Sequence, residues 1–190
     1  MLAAARERAA EVGAVPIGPA TGAALRFLAA LVGARAVVEI GTGAGVSTVW
    51  LLRGMRPDGV ITSVDAEAEH QRLARETLVD AGYPTARARL IAGRAGEVLP
   101  RLADSGYDMV FCDTRHGDYP SFLAEAVRLL RPGGVLAFAG VLRGRVAEPG
   151  ARDAEAVGLR DLLVTVRDDA RFVPVLLPLD AGLLAATFVG

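Results

Sequence analysis

The chain predicts an α/β fold: a doubly wound, mostly parallel sheet with helices on both faces and an antiparallel strand pair at its C-terminal end. Short apolar runs alternate with amphipathic stretches from Ala36 to Ala139, the pattern of strands covered on both faces by crossover helices. A glycine-dense turn, Gly41-Thr42-Gly43-Ala44-Gly45, joins the first apolar run to a helix. Two other runs end on acids, Asp65 and Asp113, and an open parallel sheet binds its ligands outside its carboxyl edge.

The elements follow in order. Residues 2–12 read as a short helix, and Pro16 and Gly18 break the loop that follows. Thr21 to Val32 carries Leu25, Leu28, Ala29 and Leu31 or Val32 at helical spacing. Ala36–Ile40 is a continuous apolar strand, and Val46–Met55 a helix that ends at Arg56-Pro57-Asp58-Gly59. Val60–Asp65 is the second strand, and Glu67–Ala81 a long amphipathic helix stopped by Gly82 and Pro84. Ala88–Ala92 is the third strand, Ala95–Ala103 a short helix, and Tyr107–Asp113 the fourth strand. Pro120–Leu130 is helical, and Arg131-Pro132-Gly133-Gly134 turns into Val135–Ala139, the fifth strand. Asp153 to Asp169 is helical, and Phe172–Leu177 and Leu183–Val189 close the sheet as the antiparallel pair. One domain of 190 residues results, with a helical segment at 1–34 before the core at 35–190.

Composition excludes several function classes. Net charge is −1 with acids and arginines interleaved, so no footprint for nucleic acid exists. Apolar residues make up 52% of the chain, yet no apolar run has membrane-spanning length. Arg6-Glu7-Arg8 comes too early for a signal peptide. The single cysteine, Cys112, excludes an internal disulfide and suits a reducing cytoplasm. The chain has no lysine and no asparagine, so a lysine base or Schiff base is impossible, and arginine stays protonated.

The glycine turn and Asp65 describe a nucleoside cofactor. Glycine lets backbone approach a ligand that a Cβ would exclude, and an acid on the next strand can grip a ribose diol. The dinucleotide fingerprint needs a third glycine three positions after the second; here Val46 stands there. Glu39 adds an acid that repels a diphosphate and attracts an ammonium. S-adenosylmethionine is favoured over NAD, which remains a weaker reading.

The ordered motifs resemble those of the class I O-methyltransferases related to catechol and caffeoyl-CoA O-methyltransferases. The likeness covers nearly the whole chain: Pro19-x-x-Gly22, Val38-Glu39-Ile40-Gly41-Thr42-Gly43, Asp65, Tyr107 to Asp113 and Tyr119-Pro120. It continues through Leu129 to Gly134, Gly144 to Pro149 and Leu177 to Leu184. The resemblance implies a Rossmann-like sheet, a homodimer and a small-molecule acceptor. It places Glu39, Gly41 and Gly43 at the cofactor's methionine moiety, Ser47 at its carboxylate, Asp65 at the ribose and the Ala95 amide at adenine. Gly93-Arg94-Ala95 stands where the family has Gly-Asp-Ala. The family also begins with a further helix that lids the substrate, and this chain starts after it.

The catalytic positions depart from that pattern. Asp-Ala-Asp-Lys and Asp-Asn hold a divalent ion and a base in the family; here the same places read Asp113-Thr114-Arg115-His116 and Ala139-Gly140. Octahedral Mg²⁺ wants six oxygen ligands, which one carboxylate does not supply, so no metal is expected. His116 is the expected general base, since histidine titrates in the right range. Asp113 orients it or meets the cofactor's ammonium, and Arg115 or Arg143 can hold an anionic acceptor. A rebuilt metal site from Asp113, His116 and Asp118 is an alternative, as is a catalytically inactive cofactor-binding or interaction protein. His70 reads as a structural residue on a polar helix face, Cys112 as strand packing, and Tyr119 and Phe122 as packing.

Overall fold

The computed structural model describes residues 2–190 except Arg115, Arg145, Ala147, Pro149 and the side chain of His116. Its elements in chain order are α1 Leu2–Glu11, α2 Pro19–Leu31, β1 Ala36–Ile40, α3 Val46–Gly54, β2 Val60–Asp65, α4 Ala68–Asp80 and β3 Ala88–Ala92. There follow α5 Ala95–Val98, β4 Tyr107–Cys112, α6 Tyr119–Leu129, β5 Leu130–Ala139, α7 Ala154–Asp168, β6 Phe172–Leu177 and β7 Leu183–Phe188. The sheet order is β3-β2-β1-β4-β5-β7-β6. Strands β1 to β5 pair in parallel, and β7 is antiparallel to both β5 and β6. The order reverses between β1 and β4, and that switch point positions the site.

The period of two along each strand divides the core. Val37, Met109 and Phe111 pack under α2 and α3 on one face. Val38, Ile40, Val110 and Cys112 pack under α6 and α7 on the other. The central strands β1 and β4 therefore carry apolar residues at successive positions, Val37-Val38 and Met109 to Cys112, because both of their faces are covered. Among the described residues no helix is long and apolar enough to cross a membrane.

Three elements differ from expectation, each for a local reason. The short helix after β3 is α5 followed by a 3₁₀ turn at Leu99–Arg101, because Pro100 has no N–H to continue the ladder. β5 begins at Leu130, and its register with β4 slips between the Leu130 and Val135 pairings; Pro132 in this stretch cannot donate to the ladder. α2 begins at Pro19, where the fixed φ of proline suits a first helical residue.

Candidate active site

The glycine turn follows β1 at the switch point. Gly41 has φ +97°, and a Cβ there would run into the carbonyl oxygen of Asp113. Its N–H bonds the Val64 carbonyl at 2.9 Å, and the Asp113 N–H bonds the Ile40 carbonyl at 2.9 Å. The close approach of the β1 and β4 ends thus requires a glycine at Gly41. Gly43 differs: a Cβ there would meet nothing within 4 Å.

Glu39 lies in β1 with no exposed surface. Thr48 and Ser63 donate to its Oε2 at 2.6 and 2.5 Å. Behind Ser63 a polar chain continues, with Thr42 Oγ1 2.7 Å from Ser63 Oγ and Gln71 Nε2 donating to Thr42 at 2.8 Å. Ser63 spends its proton on Glu39, so Thr42 must donate to Ser63, and the chain has one direction. Oε1 of Glu39 is buried with no hydrogen-bond partner; the Ser47 hydroxyl stands near the carboxyl without completing a bond to that oxygen. Burial pushes Glu39 up to about 7, against the pull of the Ser47, Ser63 and Thr48 hydroxyls, and the charge of Asp113 adds to the rise.

Asp65 ends β2 beside this network. Its Oδ2 accepts the Gly43 N–H at 2.9 Å, and its Oδ1 accepts the Glu67 N–H at 3.0 Å. The His70 ring places Nδ1 3.1 Å from the same Oδ1. This corrects the reading of His70 as a residue of a polar helix face: its side chain is only 19% exposed and turned onto the acid. Sequence reasoning also missed Thr42, Thr48, Ser63 and Gln71, although Ser63 inside an apolar strand was a visible anomaly. Ala95 opens α5, and a first-turn amide of a helix has no partner within it.

Asp113 follows β4 directly. Burial pushes its carboxyl up to about 6, with the Arg143 guanidinium opposing the shift. Arg143 sits on a clamped turn: its N–H bonds the Gly140 carbonyl at 3.0 Å, and Leu142 N–H bonds the Ala181 carbonyl at 2.9 Å. Tyr119 is fully buried against Phe138, ring centres 4.9 Å apart, and donates to the Ala139 carbonyl at 2.9 Å. It packs, as expected, and so does Phe122. Burial raises the thiol of Cys112 far above its usual range, so it is no nucleophile. His116 opens a 3₁₀ turn at His116–Asp118, but its side chain and all of Arg115 lie outside the described residues.

The tip of β5 offers Ala139 and Gly140, which carry no ligating side chain. Among the described residues no three His, Cys, Asp or Glu side chains converge as a metal site.

Residues 2–187 match the O-methyltransferase family. The chain is 54% identical over 187 residues to a probable O-methyltransferase of Mycobacterium tuberculosis, covering 98% of this chain and 84% of that protein. A crystal structure of a Corynebacterium glutamicum protein superposes with a TM-score of 0.92 at 33% identity, covering 100% of this chain and 89% of that one. The O-methyltransferase TomG of Streptomyces achromogenes, involved in tomaymycin synthesis and solved in complex with S-adenosylmethionine, gives 0.90 at 29% identity. It covers 100% of this chain and 89% of TomG. A turn, two acids and a sheet order of this kind agree with that match over the whole length, and the chain belongs to the S-adenosylmethionine-dependent O-methyltransferase family.

Proposed function

We propose that the protein methylates a hydroxyl of a small-molecule acceptor without a divalent ion. The observation that carries this is the concentration of Glu39, Asp65 and Asp113 on one sheet edge, with Glu39 Oε1 unpartnered and no ligating side chain on the β5 tip. When bound, S-adenosylmethionine supplies the activated methyl carbon and receives the electron pair of the breaking carbon–sulfur bond. Glu39, whose Oε1 has no hydrogen-bond partner, would hold the ammonium of its methionine end. Gly41 shapes the glycine turn, and Ser47 donates to the carboxylate. Asp65 holds the two ribose hydroxyls, and the Ala95 amide meets adenine.

His116 would take the acceptor's hydroxyl proton, leaving the oxygen free to receive the methyl group that the cofactor supplies when bound. Asp113 orients the imidazole and holds the charge that forms on it. Arg115 or Arg143 holds an acidic group of the acceptor. We place the enzyme in the cytoplasm as one domain and as a homodimer, to which the exposed Phe27, Leu31, Val173 and Val175 lend apolar surface; light scattering at the monomer mass would end the dimer assignment.

The experiment is turnover on catechol, simple phenols and hydroxybenzoates, with and without chelator. Activity is expected to survive chelation, and His116→Ala to lower kcat by about 10²–10⁴-fold. Loss on chelation that Mg²⁺ restores would remove the metal-free mechanism. Full activity in His116→Ala would remove the base. Arg143→Ala should raise KM for hydroxybenzoates and leave that for catechol unchanged.

A further inference from the structure

The resemblance assigns the ribose to Asp65 and gives His70 no part in it. Asp65 nevertheless receives, among the described residues, the Gly43 and Glu67 amides and one side-chain donor, His70 Nδ1. The two amides belong to turns, one on each side of the strand tip. A ribose diol needs both carboxylate oxygens at set positions, so the orientation of this carboxylate matters as much as its charge.

The donor on His70 follows from elimination. A carboxylate only accepts, and at 3.1 Å a bare Nδ1 would set lone pair against lone pair. Nδ1 therefore carries the proton, whether the ring is neutral or charged. The ring is also well supported. The next residue, Gln71, is 1% exposed and reaches Thr42 Oγ1 and the Ile91 carbonyl at 2.8 and 3.0 Å. With a further bond to the Ser63 carbonyl at 3.3 Å, that anchors the first turn of α4 to β2, β3 and the glycine turn, while the neighbouring position turns His70 onto Asp65. Asp65 itself is 11% exposed and His70 19%, so water competes weakly for the contact.

We propose that His70 is a positioning residue for the cofactor's ribose, holding the Asp65 carboxylate in the orientation that receives both hydroxyls. This rests on the placement of the ribose at Asp65. His70 acts through Asp65 and need not touch the ribose. Without it, Oδ1 is held by the Glu67 amide alone, and the carboxylate gains freedom that ligand binding must remove.

The test is calorimetric titration of the full chain with S-adenosylhomocysteine, joined to ¹⁵N NMR of the His70 ring. His70→Ala should weaken binding about tenfold, the worth of one hydrogen bond to a charged group. His70→Asn should recover most of that loss, because its amide nitrogen reaches where Nδ1 stands. The wild-type ring should be protonated at Nδ1 with and without ligand. A His70→Ala protein that binds within twofold of wild type overturns the proposal. So does an asparagine variant no better than alanine, or a ring protonated at Nε2 alone. If His70→Ala fails to fold, the asparagine variant and the ring spectrum still decide. A wild type that binds no S-adenosylhomocysteine would instead overturn the cofactor placement itself.

Discussion

A carboxyl group with no exposed surface, Glu39, is the residue on which the site's pH behaviour turns. Burial pushes its carboxyl up to about 7, well above the ordinary glutamate value. Between those values the folded state binds more protons than the unfolded chain, so this group's contribution to stability falls as pH rises. The span corresponds to about 3 kcal/mol. Glu39→Gln should flatten that part of the ligand-free stability profile between pH 4.5 and 7, measured by urea unfolding. It should also weaken S-adenosylmethionine binding at pH 8 by tenfold or more, since an amide offers the ammonium no charge. Glu39, Asp65 and Asp113 were legible in the sequence, because an acid in or at the end of an apolar strand stands out. Thr48, Gln71 and His70 were not, because threonine, glutamine and histidine are ordinary on any amphipathic surface; Ser63 inside an apolar strand stood out, but its partners did not.

Helix α2 shows how an element can borrow its terminus from far along the chain. Its N-cap residue is Gly18, which has no side chain to accept from the first-turn amides. Asp180 takes that place, accepting the Thr21 N–H at Oδ2 over 2.8 Å. A Cβ on Gly18 would collide with the same carboxyl. Asp180→Ala should cost about 1–2 kcal/mol, as losing a cap does, and lower Tm by roughly 2–8 °C. Gly18→Ser alone should not help, because its Cβ meets Asp180. Combined with Asp180→Ala it should recover much of the loss, by restoring a local cap; thermal melts of the four proteins decide. The start of α2 was read two residues late in the sequence. Its true cap partner lies 159 positions away, beyond any local signal.

At the scale of the whole molecule, cofactor and fold are linked. The turn after β1, the tip of β2 and the first turn of α4 all meet at Asp65, so a ligand gripping that acid ties three segments together. At one hundred times its Kd, S-adenosylhomocysteine should stabilise the protein by about 2.7 kcal/mol. For a domain of this size that raises Tm by roughly 5–11 °C, and a scanning melt with chelator present should show the same rise. A Tm unmoved by saturating ligand would separate the fold from the cofactor placement. Among the described residues the second support lies at the opposite end of the strands. There Asp108 accepts the Arg35 and Ala36 amides at 2.7 and 2.8 Å and pairs with Arg131 at 2.6 Å. Burial alone would raise that carboxyl, but these donors hold it below its usual value. Its contribution is therefore present above the ordinary aspartate range and is lost as pH falls through the lowered value.

By itself the sequence determined the order and type of the elements, the glycine turn, and the acids at Asp65 and Asp113. Those follow from local rules: apolar period, proline and glycine geometry, and the tips of parallel strands. Only the tertiary structure decided that Gly41 yields to the Asp113 carbonyl, that Glu39 ends a one-way chain of hydroxyls, and that His70 holds Asp65. Each of these is a contact between segments that the sheet brings together. The chemistry of each partner alone does not name the other, because distance in space, not distance along the chain, sets whether a hydrogen bond forms.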